Sequence, residues 1–181
     1  MKYLICSDIH GSAAAAGLLI GWFEKLRCDR LVILGDTLYH GPRNPLPPGH
    51  DPKGVVDLLN PYADRIVACR GNCDAEVDQM LLAFPTMGDT ALIVDDGVRL
   101  VASHGHVYSP ERLPPLLPGD VFLSGHTHVQ MLEKNADGVV LCNPGSAALP
   151  KGGSPAGFAV YEARTLTLYD MNGTELRTLR V

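Results

Sequence analysis

Five times along this chain a short apolar run breaks into a polar segment that carries Asp, Asn or His: Ser7-Asp8-Ile9-His10-Gly11, Gly35-Asp36, Gly71-Asn72-Cys73-Asp74, Ser103-His104-Gly105-His106 and Gly125-His126-Thr127-His128. No other feature constrains the fold as much. Short apolar runs that end this way read as buried strands followed by loops. In an open sheet the carboxyl ends of the strands face one crevice, so residues far apart in sequence meet there. The placement therefore calls for a fold that gathers these loops at a common site.

The intervening sequence supports that layout. Strands are expected at residues 3–6, 31–34 and 66–69. Ser12 is placed to cap a helix running to about residue 27, and Asp51 followed by Pro52 starts a second helix bearing Val55, Val56, Leu58 and Leu59, which Pro61 stops. Asp74 is expected to cap a short third helix through Val77, Met80 and Leu81. Strands alternating with helices imply a parallel sheet in the first half. From Thr90 a hairpin follows, 91–94 and 98–102, turned by Asp95-Asp96-Gly97. Extended segments at 121–123, 129–133, 139–142, 157–161, 165–169 and 175–179 then imply a second, largely antiparallel sheet packed on the first, with helices outside. The Pro-rich stretches at 42–52 and 110–118 read as long loops within one domain spanning residues 1–181.

Composition excludes several classes of function. A formal net charge of -5, with no dense Lys or Arg block, argues against general nucleic-acid binding. Five cysteines without a C-x-x-C pair fit reduced thiols rather than a disulfide framework or a zinc ribbon. The N-terminus reaches Asp8 and His10 too early for a signal peptide, and the apolar stretch at 13–23 is shorter than the ~20 residues of a membrane span. A cytoplasmic protein without membrane contact is expected.

Carboxylates and imidazoles together suit Mn, Fe, Zn or Co. Singly, Asp8-x-His10 reads as a helix-capping loop, Gly35-Asp36 as a turn, and His126-x-His128 as one face of a strand. Together and in this order the five segments resemble the calcineurin-like metallophosphoesterase superfamily, across residues 7–128, with Asn143-Pro144-Gly145-Ser146 extending the likeness. The compact length and the loop Tyr39-His40-Gly41-Pro42-Arg43-Asn44-Pro45 look like its bacterial phosphodiesterases.

The resemblance implies an α/β four-layer sandwich of two packed mixed sheets flanked by helices. It also implies two divalent metal ions, with Mn2+ first and Zn2+, Fe2+, Co2+ or Ni2+ as alternatives. One ion would be held by Asp8, His10, Asp36 and His128, the other by Asp36, Asn72, His104 and His126. Asp36 would bridge them, since one carboxylate can hold two cations about 3.5–4 Å apart. Asp36, Asn72 and His104 are the expected catalytic residues. A hydroxide shared between the ions would attack phosphorus in line, with no covalent enzyme intermediate.

One position departs from the commoner family pattern. Many members carry a His beside the metal-binding Asn, placed at the leaving group, and here that position is Cys73. A neutral thiol is a poor general acid, so help of the usual ~10²–10⁴-fold is expected to be missing or to come from His106, His40 or His50. Arg43 can clamp a phosphate through two bonds. Arg43, His40, Cys73 and His106 are therefore the candidate contacts to a small phosphate ester substrate. Asp74 is a helix cap or a support for a ligand, and Asn143 and Ser146 fit a turn near the metals. Trp22, Phe23 and the face from Ala13 to Ile20 fit helix packing or a subunit contact, leaving a homo-oligomer open. The competing readings are a phosphomonoesterase or dinucleotide hydrolase, and a protein-binding scaffold of the same fold.

Overall fold

The computed structural model describes residues 1–181. The first apolar runs become β1 (Lys2–Cys6), β2 (Arg30–Ile33) and β3 (Ile66–Ala68), paired in parallel in that order. Alternate side chains of these strands serve different layers, so both faces are buried. Leu4 and Cys6 pack outward against α1 (Ala13–Lys25) and α2 (Pro52–Leu59), where they meet Leu19, Phe23, Val55 and Leu59. Tyr3, Ile5 and Val32 point the other way, onto Leu100, Val121 and Leu123 of the second sheet.

The helices begin where the sequence places them. Ser12 Oγ accepts the Ala15 N–H at 3.1 Å, and Asp51 Oδ1 accepts the Gly54 N–H at 3.0 Å with Pro52 first in the helix. Pro61 ends α2 by tightening the chain into a 3-10 segment, Asn60–Arg65. Asp74 does not cap the third helix. That helix, α3 (Glu76–Leu81), starts after Ala75, whose N–H is held by Asp78 at 2.9 Å, and Asp74 turns toward the strand ends instead. Trp22 and Phe23 serve packing: Phe23 is buried, and Trp22 lies 5.7 Å from Phe158 and donates to the Met171 carbonyl at 3.0 Å.

The hairpin forms from β4 (Ala91–Asp95) and β5 (Val98–Ala102), across Asp96 and Gly97 at φ 48° and 76°. Positive φ at both turn residues is what a two-residue connection needs to match strand twist. β6 (Val121–Leu123), β7 (Met131–Lys134) and β8 (Val140–Asn143) complete a sheet of order β4-β5-β6-β8-β7.

Two expectations about the sheets are corrected. The second sheet is mixed rather than largely antiparallel, because β5–β6 and β6–β8 are parallel, the first pair joined by a long loop and the second by a connection that contains β7. The last three strands, β9 (Gly157–Glu162), β10 (Thr165–Asp170) and β11 (Glu175–Arg180), extend the first sheet, giving the order β11-β10-β9-β1-β2-β3. β9 is apolar on both faces from Phe158 to Tyr161, which suits a central place between two buried layers. β11 carries Arg177 and Arg180 and takes the exposed edge. The result is the α/β sandwich of two mixed sheets. The outer face of the second sheet is covered by loop rather than helix, with Tyr108, Leu113 and Leu116 over Phe122 and Leu141. No helix is long and apolar enough to cross a membrane.

Candidate metal centre

The five polar segments lie at the carboxyl ends of β1, β2, β3, β5 and β6, each of which has a parallel neighbour in its sheet. Backbone bonds lock the loops together: Asp8 N–H to Gly35 O at 3.2 Å, His10 N–H to Asp36 O at 2.9 Å, and Gly125 N–H to His104 O at 2.7 Å. Asp8, His10 and His128 bring their donor atoms within 4.8 Å of one another, as do Asp8, Asp36 and His104. The separations are 3.2 Å from His128 Nε2 to Asp8 Oδ1, 3.5 Å from His10 Nε2 to the same oxygen, and 3.4 Å from His104 Nε2 to Asp36 Oδ2. Asn72 Oδ1 is 3.1 Å from His104 Nε2. The His126 ring packs edge-on against His104 at 5.1 Å between centroids, while its backbone N–H donates to Asp8 Oδ2 at 3.0 Å.

The hydrogen bonds around the rings favour particular tautomers. Nδ1 of His10, His104 and His128 faces the carbonyl of Tyr39, Leu34 and Leu149 at 2.8, 2.7 and 2.5 Å. A ring nitrogen facing a carbonyl carries the proton, which leaves Nε2 of each neutral ring as a lone pair aimed inward. In those neutral tautomers the His10 and His128 Nε2 lone pairs face each other at 3.2 Å. Asp8 Oδ2 accepts from Ser7 Oγ at 2.6 Å and from His126 N–H, whereas buried Asp8 Oδ1 has no hydrogen-bond partner. Lone pairs and carboxylate oxygens crowded this closely repel unless a cation lies among them, so the donor set fits divalent metal.

In the metal-free chain the carboxylates instead favour protons on two of the rings, in the place a cation would take. Burial alone would lower the pKa of His104, but Asp36 and Asp8 outweigh it and raise the value to about 9. His10 is likewise raised, with burial opposing and Asp8 prevailing. Burial would raise Asp8, yet His10 and His128 hold it well below the ordinary carboxylate range. His106 and His126 go the other way, lowered by burial and then by the neighbouring His104 charge.

The backbone is bent to achieve this convergence. Asp8, His10, Asp36, His126 and His128 have φ of 56°, 51°, 53°, 67° and 60°. A left-handed conformation is unfavourable by about 1–2 kcal/mol per residue with a Cβ, and such residues concentrate at functional sites. Neighbouring glycines make room: a Cβ on Gly71 would overlap the Asp36 carboxylate, and one on Gly125 would overlap Ser7 Oγ.

The family model for the calcineurin-like phosphoesterase superfamily domain matches residues 1–166. The chain belongs to that superfamily. It is 43% identical to Phosphodiesterase YfcE of Escherichia coli K12 over 172 residues, 95% of this chain and 93% of that protein. The solved structure of YfcE, a phosphoesterase from E. coli, superposes with a TM-score of 0.97 at 41% identity, covering 99% of each chain. Vps29 from Entamoeba histolytica, solved in complex with zinc, shares the fold alone, with a TM-score of 0.63 at 19% identity over 100% of this chain and 98% of that one.

Above the centre of this superfamily member lies a cleft whose rim carries Arg43, Asn44, Cys73 and Lys151. Asp36, Asn72, His126 and His128 also line it. Of the expected substrate contacts, Arg43 and Cys73 are on this cleft. His106 is exposed beside it, its ring 5.4 Å from that of His104. His40 instead meets His50 edge to face and lines a neighbouring cavity. Lys151 is a cleft residue that local sequence does not single out. It arrives because Lys151 N–H bonds the His128 carbonyl at 3.0 Å, and its Nζ reaches Asn44 Oδ1 at 3.2 Å.

The supporting residues also become concrete. Ser146 Oγ donates to the Asp8 carbonyl at 2.7 Å, and Asn143 Nδ2 donates to the Gly125 carbonyl at 2.8 Å, so both brace the ligand loops. Asp74 accepts three backbone N–H groups, from Gly71 at 2.7 Å and from Asp36 and Thr37 at 2.9 Å each. It thereby ties the second loop to the third. Hydrogen bonds to a charged acceptor contribute about 1.5–3 kcal/mol each, and water can replace some of them. Asp74→Ala is therefore expected to lower unfolding free energy by roughly 2–4 kcal/mol and to weaken metal retention. Urea titration and metal analysis after gel filtration check both, and wild-type stability would refute the bracing role.

Proposed function

We propose that this phosphoesterase hydrolyses phosphodiesters with two divalent cations, manganese foremost, held by Asp8, His10, Asp36 and His128 on one side and by Asp36, Asn72, His104 and His126 on the other. The observation that carries this reading is the inward convergence of the Nε2 lone pairs on Asp8 and Asp36, with Asp8 Oδ1 lacking any donor. Its kinship to Phosphodiesterase YfcE supports diesters as the substrate class. Bound there, two such ions would supply charge for the phosphoryl oxygens and a water acidic enough to attack phosphorus near neutral pH.

The chain's own residues have distinct tasks in this reading. Asp36 supplies the negative charge shared by both ion positions, and its Oδ1 is oriented by the Cys73 N–H at 2.8 Å. Arg43 and Lys151 place positive charge on the rim, where an anionic ester must enter. Cys73 cannot give the leaving group a proton readily, because burial and then Asp36 push its thiol up to about 12. Esters with good leaving groups are thus favoured. The five thiols are unpaired and four are buried, which supports a reducing, cytoplasmic setting.

The test is a panel of phosphodiesters and phosphomonoesters assayed after loading with Mn, Ni, Co, Zn or Mg, with bound metal counted per chain. Diester turnover with two equivalents of metal is expected; turnover of monoesters alone would overturn the reading. A second measurement addresses the rim. Arg43→Ala is expected to raise KM roughly tenfold, the loss of one charged clamp, with kcat and metal content nearly unchanged. Unaltered kinetics would reassign the 37–52 loop to packing.

A further inference from the structure

On the other side of Cys73 from the cleft lies a second cavity of about 500 Å³, lined by Leu38, Tyr39, His40, His50, Val77 and Leu81. Cys73 lines both, so the two spaces adjoin at that residue. Their chemistry differs. Tyr39, Val77 and Leu81 stand 45%, 58% and 54% exposed, which gathers three large apolar side chains in one half-open groove. The two imidazoles meet edge to face at 5.4 Å, and buried His40 Nδ1 and His50 Nε2 have no hydrogen-bond partner. A mainly apolar cavity beside a polar, charged cleft is a usual form of small-molecule pocket.

We propose that this cavity receives one alcohol substituent of the diester, an aryl or heteroaryl ring. The inference rests on the phosphodiesterase reading and names its substrate class. The charged rim of the cleft suits the phosphate, and the apolar extension suits what the phosphate carries. A flat ring covers Tyr39, Val77 and Leu81. A small alkyl or sugar substituent would leave the apolar side chains in water.

The test compares diphenyl phosphate with dimethyl phosphate as ligands of the manganese-loaded protein by calorimetry, in the wild type, Val77→Asp and Leu81→Asp. Both positions are more than half exposed, so a charge there leaves the core intact. The wild type is expected to favour diphenyl phosphate by roughly tenfold or more, the effect of burying one aromatic ring, and each variant to lose most of that preference. No preference in the wild type, or a preference that survives both variants, overturns the proposal. So does a fall in solution mass on Val77→Asp with the preference intact, because the groove is then a contact between copies of the chain. Turnover of bis(4-nitrophenyl) phosphate by the wild type is read in parallel. Turnover without an aryl preference removes the subsite and keeps the phosphodiesterase, whereas an aryl preference without turnover removes the phosphodiesterase.

Discussion

Replacing Asp36 by Asn is expected to lower kcat/KM for an aryl phosphodiester by at least ~10³-fold, more than any other single ligand change. The reason is position. Asp36 Oδ2 lies 3.4 Å from His104 Nε2 and 3.7 Å from His10 Nε2, so its charge serves both halves of the donor cluster. Asn is nearly isosteric and can still accept the Cys73 N–H, and the Asp36 backbone bond to Asp74 is untouched. The variant should therefore fold while holding less metal. Circular dichroism separates folding from function, and metal analysis separates lost binding from lost chemistry. A variant that retained two ions and worked within about tenfold of wild type would rule out the shared carboxylate.

Stripping the metals is expected to abolish hydrolysis and to reverse the pH dependence of stability. In the metal-free chain burial disfavours the His104 cation, but Asp36 and Asp8 prevail and its folded pKa is about 9, above an ordinary 6.5. A raised pKa stabilises the fold fully below about pH 6.5 and is lost as pH climbs through 9. The metal-free protein should thus lose on the order of 3 kcal/mol over that window, a difference of a few pK units at one group. With metal bound the imidazole must be neutral, so rising pH strengthens binding instead. Urea titrations at pH 6, 7.5 and 9 should show the two forms diverging. Asp36→Asn removes the strongest favourable partner of His104 and should flatten the metal-free slope. A metal-free protein that grew more stable between pH 6.5 and 9 would contradict this account.

Which residues stand at strand ends, and what donor chemistry they bring, can be read from local pattern alone. Asp8, His10, Asp36, Asn72, His104, His126 and His128 each follow an apolar run closely enough that local pattern fixes their place. The caps at Ser12 and Asp51 and the turn at Asp96-Gly97 were legible for the same reason, since each is a bond or torsion within a few residues. Partner choice was not legible. An apolar strand buried on both faces declares that it is central, but not in which sheet, and β9 joined β1 rather than β8. Asp74 looked like a cap because capping is local, yet its carboxylate found the N–H groups of Asp36 and Thr37 across the crevice. Lys151 reached the cleft through a backbone bond to His128, and the apolar cavity formed where the 38–50 loop met α3. Those arrangements depend on contacts between distant segments, whose free energy comes from burial and hydrogen bonding in three dimensions. Local periodicity decides what an element is and where it stops, and only packing decides what it touches.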